Sequence, residues 1–432
     1  MGDYSSKYFS KKKTAKTKIY KFFNLEVVIP RKKKSLDYRT LSLFGMTFRF
    51  PRTKRFQSLC EQTEIVQNKI VFSNFVGKGY GCNPKYIAEQ IIKEDLDYEL
   101  VWLVTNPSQE RINFPEKIRL VNINSRSAFV ELASAKIWID NSRKNQQIKR
   151  GLIKKRGQFY IQTWHGSLGI KKLDADVVQF QNNTSWIELS KRDASLMDFV
   201  LINSEFERRV LTKALWFENE VKAYGHPRND VFFKEAEPIK EKVYKYYGIE
   251  RSKKLVLYVP SFRDNKDLSW FKINYESVLL SLSKRFGGEW VFVLRLHPRV
   301  KMPIPYKDIN FVDATNYPDI QELLVASDVA ISDYSSCIYD FLLTRRPGFL
   351  YAPDIKKYDD MRGFYYPLEC TPFPVSQDNS QLIQSIENFN LETFSEKCEN
   401  FLSEKGCHED GHASERVVNL IKSLMQPGNN NG

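Results

Sequence analysis

Apolar runs of six or seven residues alternate with amphipathic stretches in the first half of the chain. The runs are rich in Val, Ile, Phe and Trp, as buried strands are. They read KIVFSNF (69–75), ELVWLVT (99–105), KIRLVN (117–122), KIWIDN (136–141), QFYIQTW (158–164) and DFVLIN (198–203). SRSAFVELASA (125–135) predicts a helix between two of them, and Asn83-Pro84 predicts the capped start of another. Strands that alternate with helices predict a parallel α/β sheet.

The pattern breaks at the polar stretch GHPRNDVFFKEAEPIKEK (225–242) and then starts again. The later runs are KKLVLYVPSFRD (253–264), WVFVLRLHPR (290–299), INFVDA (309–314), DVAIS (328–332) and PGFLY (347–351). Two series of this kind predict two Rossmann-like domains that face each other across a cleft. We assign 61–238 to the first domain and 239–432 to the second, which suits a chain of 432 residues.

The positive charge of the chain is concentrated near its N-terminus. Residues 1–60 contain 16 Lys and Arg against three Asp and Glu, which is +13 of the total +14, and the remaining 372 residues are close to neutral. Aromatic residues interleave with the basic clusters, a composition that suits an anionic membrane surface. A solvated basic tail or an RNA contact remains the alternative for this segment. Because the body is neutral, we predict no nucleic-acid partner.

Export and membrane-spanning signals are not evident in the sequence. No apolar run reaches the length of a transmembrane helix, and the N-terminus lacks the apolar stretch of a signal peptide. Six scattered cysteines then fit reduced thiols. We therefore expect a cytoplasmic protein, peripheral at the inner face of the cell membrane through residues 1–60.

Polar residues gather where the predicted strands end. Ligands of open α/β sheets bind beyond the carboxyl ends of the strands, so this recurrence indicates a site. The clusters are His165-Gly166-Ser167, Ser261-Phe262-Arg263-Asp264, His297-Pro298-Arg299 and Asp333-Tyr334-Ser335-Ser336.

Each cluster alone has a simpler interpretation. His165 beside Gly166 is a candidate base, but a histidine bonded into its loop would have the same sequence. Ser335 and Ser336 suit a helix cap, and also an anion site at the helix N-terminus. GKGYG (77–81) contains neither a dinucleotide-binding fingerprint nor a P-loop.

Taken together, the motifs resemble the CDP-glycerol glycerophosphotransferase family, the teichoic-acid primases and polymerases. The matching stretches follow the order of the family over roughly residues 70–420. They are GKGYGCNPKYI, QTWHGSLGIKKLDAD, GHPRND, YVPSFRD, LRLHP, ISDYSSCIYDFLLTRRP and DGHASERV. The resemblance implies a GT-B fold, with an acceptor-facing N-terminal domain and a nucleotide-binding C-terminal domain.

The resemblance also implies a reaction and roles for residues. A polyol phosphate, most simply glycerol phosphate, would pass from a CDP-activated donor to a hydroxyl of a teichoic-acid-like, capsular or lipid-linked acceptor, and CMP would leave. His165 would be the base, Asp176 would assist it, and His297 would contact the diphosphate or protonate CMP. The remaining residues would bind the nucleotide or its phosphates: Gly166, Arg263, Arg299, Ser332, Asp333, Ser335, Ser336, Ser414 and Arg416.

Some departures from the family pattern leave questions open. The loop after the histidine reads HGSLGIKKLDAD where family members commonly read HGTPLKKLG, and His412 stands where a lysine is frequent. These changes bear on the identity of the polyol more than on the chemistry. A glycosyltransferase that uses a nucleotide sugar and an inactive membrane scaffold remain alternatives. The sequence contains no aspartate pair with metal-ligand spacing, and the need for a divalent metal stays open.

Overall fold

The computed structural model describes residues 54–180, 184–263, 272–297, 300 and 310–426, and the backbone of five strands nearer the N-terminus. Those strands form a three-stranded antiparallel sheet, β1-β2-β3, and a hairpin, β4-β5. They are β1 (Phe9–Lys13), β2 (Thr17–Phe22), β3 (Leu25–Pro30), β4 (Tyr38–Leu43) and β5 (Met46–Pro51). The side chains of this basic segment lie outside the described residues, so its membrane contact stays a prediction.

Seven parallel strands make the first sheet, in the order β8-β7-β6-β9-β10-β11-β12. They are β6 (Val66–Ser73), β7 (Glu99–Val104), β8 (Ile118–Asn122), β9 (Ala135–Asp140), β10 (Phe159–Gln162), β11 (Phe199–Leu201) and β12 (Glu220–Lys222). The helices are α1 (Gln57–Gln62), α2 (Cys82–Lys93), α3 (Pro107–Glu110), α4 (Arg126–Ser134), α5 (Asn145–Arg150), α6 (Thr184–Leu196) and α7 (Glu205–Ala214). The strand order reverses between β6 and β9, which makes a topological switch point there.

Six parallel strands make the second sheet, in the order β15-β14-β13-β16-β17-β18, with its switch point between β13 and β16. They are β13 (Lys254–Val259), β14 (Trp290–Leu294), β15 (Phe311–Asp313), β16 (Val329–Ser332), β17 (Gly348–Tyr351) and β18 (Val375–Ser376). The helices are α8 (Glu237–Tyr247), α9 (Tyr275–Phe286), α10 (Ile320–Ala326), α11 (Cys337–Phe341), α12 (Ile355–Arg362), α13 (Asn379–Glu387), α14 (Leu391–Glu404) and α15 (Ala413–Met425). The eleven predicted strands are all found, and the predicted pair of Rossmann-like domains is confirmed.

Burial on both faces of the first sheet explains why its strands are apolar almost throughout. Successive residues of a strand point to opposite faces. In β6, Ile70 and Phe72 pack into the core on one side of the sheet, whereas Val71 packs into the core on the other. Each core is covered by helices, as parallel sheets require.

Two local predictions at helix starts are wrong. α2 begins at Cys82, and the side chain of Asn83 does not cap it but donates to the carbonyls of Thr163 and Trp164 at 3.1 and 3.2 Å. Ser336 stands at the start of α11 without a capping bond from its side chain. Asn83 is placed by its bonds to the loop after β10, and Ser336 lines an open cavity. Neither side chain bonds to the free N–H groups of its own helix.

The last helix crosses back to the first domain. Val417, Val418, Ile421 and Leu424 of α15 are buried in the same core as Ile87 and Ile91 of α2. The proposed limits of the two domains stay a prediction, but this helix covers the first sheet although it follows the second in sequence. In the part of the chain that the structure describes, no helix has the length and apolarity needed to cross a membrane.

Candidate active site

A cavity of about 1410 Å³ lies between the two domains, at the carboxyl ends of both sheets. Its lining includes Asn74 after β6, His165 after β10, Ser261 after β13 and His297 after β14. The two switch points therefore open into one space. The cavity exceeds the volume of about 300–1,000 Å³ that is usual for a single ligand pocket, so it has room for two substrates.

His165 is held in one tautomer by a backbone carbonyl. Its Nδ1 lies 2.5 Å from the carbonyl oxygen of Asn141, which follows β9. A carbonyl only accepts, so Nδ1 carries the proton and Nε2 keeps its lone pair. The ring stacks on Trp164 with centroids 4.5 Å apart, and Phe75 meets it edge-on at 5.2 Å.

Electrostatics keep the imidazole of His165 neutral. Burial lowers its pKa to about 4; the carbonyl of Asn141 opposes this shift, and the positive charges of Arg228 and Lys171 add to it. At neutral pH the ring is therefore an unprotonated acceptor. The geometry suits a general base at Nε2.

Asn141 joins the base to the loop after β6. Its backbone carbonyl binds His165, while its side-chain oxygen accepts from the backbone N–H of Phe75 at 2.8 Å. Its amide nitrogen donates to the side-chain oxygen of Asn74 at 2.7 Å, and Asn74 in turn donates to the carbonyl of Lys78. Sequence reasoning missed both asparagines. The available signal was their position, since Asn141 ends the predicted strand 136–141 and Asn74 is the next-to-last residue of the predicted strand 69–75.

The second switch point is built from charges. Arg263 pairs with Asp333 at 2.9 Å and with Asp354 at 2.7 Å, and Asp333 accepts the backbone N–H of Ser261 at 2.8 Å. Ser332 is also turned inward and donates to the carbonyl of Val259. The arginine and two aspartates together carry one net negative charge, so the triad has no surplus positive charge for a phosphate. Arg263 lines the cavity, and Asp333 and Asp354 fix the position of its guanidinium group.

Ser335 and Ser336 face the loop that carries the base. Both line the cavity, and a Cβ built on Gly166 would lie 4.0 Å from Ser336 Oγ. A Cβ on Gly169 would come within 3.2 Å of Ser336 Cβ, so a larger residue at position 169 would be crowded. The histidine loop of the first domain thus packs directly on Ser336 of the second.

Lys171 extends the same loop across the cleft. Its Nζ lies 3.5 Å from Ser261 Oγ, and its backbone pairs with Phe364 in an antiparallel bridge. The N–H of Lys172 donates to the carbonyl of Gly363, and the N–H of Tyr365 to that of Ile170. A cation from the first domain therefore stands at the second switch point, which sequence reasoning did not assign.

The predicted residues divide into two groups by position. The predicted residues that line the cavity are His165, Arg263, His297, Ser335 and Ser336. Gly166 lies beside Ser336, and the ring of His297 is 5.7 Å from that of Phe262. Arg299 lies outside the described residues.

Three predicted residues lie away from the cavity. Asp176 accepts from the hydroxyl of Tyr365 and pairs with Lys213. Ser414 donates its N–H to Asp230, and Arg416 pairs with Asp410. Their carboxylate and guanidinium groups are already satisfied within the protein, and none of the three lines the cavity.

A buried polar network joins the domains beneath the cavity. Arg228 pairs with Asp340 at 3.0 Å, and Asn229 bridges Asp340 and Glu409. Glu409 also accepts from Asn203 of the first domain, and burial raises its pKa to about 7. The GHPRND stretch thus joins the two domains through an ion pair and hydrogen bonds. Among the described residues, no group of three or more His, Cys, Asp or Glu could hold a metal ion.

Comparison with known proteins identifies relatives over most of the chain. The profile of the family described as CDP-glycerol:poly(glycerophosphate) glycerophosphotransferase matches residues 55–423. A teichoic acid poly(glycerol phosphate) polymerase of Bacillus spizizenii is 31% identical over 81% of this chain and 90% of its own length. A Staphylococcus epidermidis protein of the same name is 30% identical over 86% of this chain, which spans about half (53%) of that relative.

A solved structure has the same architecture. The wall teichoic acid polymerase TagF superposes with a TM-score of 0.75 and 29% identity, over 85% of this chain and 92% of that one.

Proposed function

This chain belongs to the CDP-glycerol:poly(glycerophosphate) glycerophosphotransferase family and has its GT-B fold, and we propose that it transfers glycerol phosphate from CDP-glycerol to an acceptor hydroxyl with release of CMP. The acceptor in this proposal is a teichoic-acid-like, capsular or lipid-linked glycan. The observation that carries the proposal is the neutral His165, with its lone pair at Nε2, across the cleft from Ser335 and Ser336.

The reaction we propose is one in-line displacement. Nε2 of His165 accepts the proton of the acceptor hydroxyl while the oxygen attacks the phosphorus that bears glycerol. The bond from that phosphorus to the oxygen shared with the cytidine phosphate breaks, and CMP leaves with the bonding electrons. Positioning and charge stabilisation supply most of the rate in such transfers.

Several cavity residues would stabilise the diphosphate. Ser335 and Ser336 offer hydroxyl donors, and Lys171 offers a positive charge beside Ser261. His297, exposed at the end of β14, would contact the diphosphate or return a proton to CMP. Arg263 is already paired with Asp333 and Asp354, so Lys171 would add a further positive charge to the cavity beside Ser261.

A donor screen tests the reaction. The purified chain would be incubated with CDP-glycerol, CDP-ribitol and representative UDP- and GDP-sugars, and released nucleotide would be measured by chromatography. We expect CMP from CDP-glycerol. Turnover of a UDP- or GDP-sugar alone would contradict the proposal in favour of a glycosyltransferase.

We also propose that the basic N-terminal segment binds the inner face of the cell membrane. Removal of residues 1–53 should release the protein from anionic liposomes, and the bound fraction of the full chain should fall as salt rises. This cut spares Phe56 and Cys60, which are buried in the first domain. Binding that survives the deletion, or that ignores salt, would contradict an electrostatic anchor.

A further inference from the structure

In the turn after β6, two adjacent residues other than glycine have an unfavourable backbone conformation. Phe75 has φ of 42° and Val76 has φ of 59°, values that L-residues rarely adopt and β-branched residues least of all. Gly77 follows at φ of 88°. The backbone therefore enters the left-handed region three times in succession.

Hydrogen bonds on both sides hold this turn in place. Asn141 binds the N–H of Phe75, and the N–H of Gly77 donates to the carbonyl of Asn74 at 2.9 Å. Gly77 accepts from the N–H of Thr105, also at 2.9 Å. Strain of this kind persists where the surroundings fix it, and it concentrates at functional sites.

The strained turn also exposes apolar surface. Phe75 is 40% and Val76 is 46% exposed, and both line the cavity. Exposure and strain each cost free energy, so the stability of the fold does not explain the pair. A ligand that covers it would.

The position of the pair identifies the ligand. The ring of Phe75 contacts His165, and Asn141 binds both residues. The donor's phosphates are assigned to the opposite wall, at Ser335, Ser336 and Lys171. The group next to the base must be the one that gives up its proton, and its carbon skeleton would lie against apolar side chains.

We propose that Phe75 and Val76 form the acceptor-contact surface, which binds the carbon skeleton that carries the attacking hydroxyl. This inference rests on the proposed function, because it takes His165 as the base. The skeleton is either the C–H face of a sugar ring or the terminal glycerol unit of a glycerol phosphate chain, and the two probes below distinguish them.

The experiment compares substitutions at the two positions with a matched control. Val76→Asn replaces the β-branched residue by one that tolerates positive φ, so we expect an unchanged or higher melting temperature. Phe75→Ala removes the ring. Leu280→Asn is the control, since Leu280 is 72% exposed on α9 of the second domain. The probes are an alkyl hexoside and a short glycerol phosphate oligomer.

We expect Val76→Asn and Phe75→Ala to raise the KM for the preferred acceptor at least fivefold, and the KM for CDP-glycerol less than twofold. Acceptor affinity measured by calorimetry should fall in parallel, and Leu280→Asn should change neither quantity. An unchanged KM and affinity in folded Val76→Asn would overturn the inference. Wild-type protein that binds an acceptor but releases no CMP would instead count against the proposed function, and calorimetry on the variants would still decide the acceptor-contact surface.

Discussion

The two switch points of this molecule hold their side chains by different physical means. In the first domain, amides and a neutral imidazole are linked by hydrogen bonds through Asn74, Asn141 and His165. In the second, Arg263 is fixed between the carboxylates of Asp333 and Asp354. An imidazole must be unprotonated, and therefore neutral, to accept a proton, and the uncharged network around His165 suits that state. An ion-paired frame fixes a loop firmly but uses up the charge of its arginine.

The largest effect that we expect is on the neutral side. His165→Ala removes the proton acceptor, so turnover with CDP-glycerol should fall by about 10³-fold or more, as for other general bases. The melting temperature should change little. His408→Ala is the control, because His408 is partly exposed and pairs with Glu205 away from the cavity. Equal activity of the His165 variant would remove this residue from the mechanism.

The charged side should respond in stability. Arg263→Gln leaves Asp333, with a side chain only 2% exposed, without its cation. Loss of one partner of a buried pair costs about 3 kcal/mol or more of the free energy of unfolding. Chemical denaturation measures it. The double variant Arg263→Gln with Asp333→Asn should recover part of the loss, and no recovery would show that the pair is not the cause.

A substitution of Asn141 separates two roles of the neutral network: stabilising the fold, and setting the pKa of His165. Asn141→Ala leaves the backbone N–H of Phe75 without its acceptor and the side-chain oxygen of Asn74 without its donor, which should cost about 2 kcal/mol of unfolding free energy. His165 binds the backbone carbonyl of residue 141, which the substitution keeps. The acid limb of kcat/KM should therefore remain near the pKa of about 4 of His165, as a pH profile would show. A limb shifted towards pH 6 would mean that the side chain, too, sets the tautomer or burial of the base.

The smallest effect concerns the network that joins the two sides. Glu409 has a folded pKa of about 7, above its usual 4.5, so the folded state binds the proton more tightly than the unfolded state. Stability should therefore decrease as pH rises from about 4.5 to 7. His226 lies in the same network; burial lowers its pKa, but the carboxylate of Glu207 outweighs burial and raises it, so His226 adds to the same decrease. Glu409→Gln should reduce this decrease, measured as the difference in unfolding free energy between pH 5 and pH 7.5, by up to about 2 kcal/mol. An unaltered slope would assign the pH dependence to another group.

The fold could be predicted from the sequence more completely than the site. Buried strands such as KIVFSNF are apolar on both faces, and that pattern distinguishes them from loops and from amphipathic helices. Positions next to strand ends also located His165 and Ser336 correctly at the cavity. Asn74 and Asn141 were missed because their role depends on a contact between two loops distant in sequence.

Motifs near the C-terminus misled for a related reason. DGHASERV suggested that Ser414 and Arg416 lie at the phosphates, but their partners are Asp230 and Asp410. A short motif shows which residues are neighbours in sequence, but it does not show which distant residues they contact in the fold. The inward orientation of Asp333 likewise depends on Arg263, which lies far from it in sequence and pairs with both Asp333 and Asp354 across loops that the local sequence does not connect.

The return of α15 to the first domain has a consequence for synthesis on the ribosome. The apolar face of Val417, Val418 and Ile421 completes a core whose other residues are made before the second sheet. The first domain therefore waits, with part of its core uncovered, until the whole second domain has been translated. A nascent chain arrested before residue 413 should be bound by chaperones that recognise apolar surface, although both of its sheets have already been synthesised.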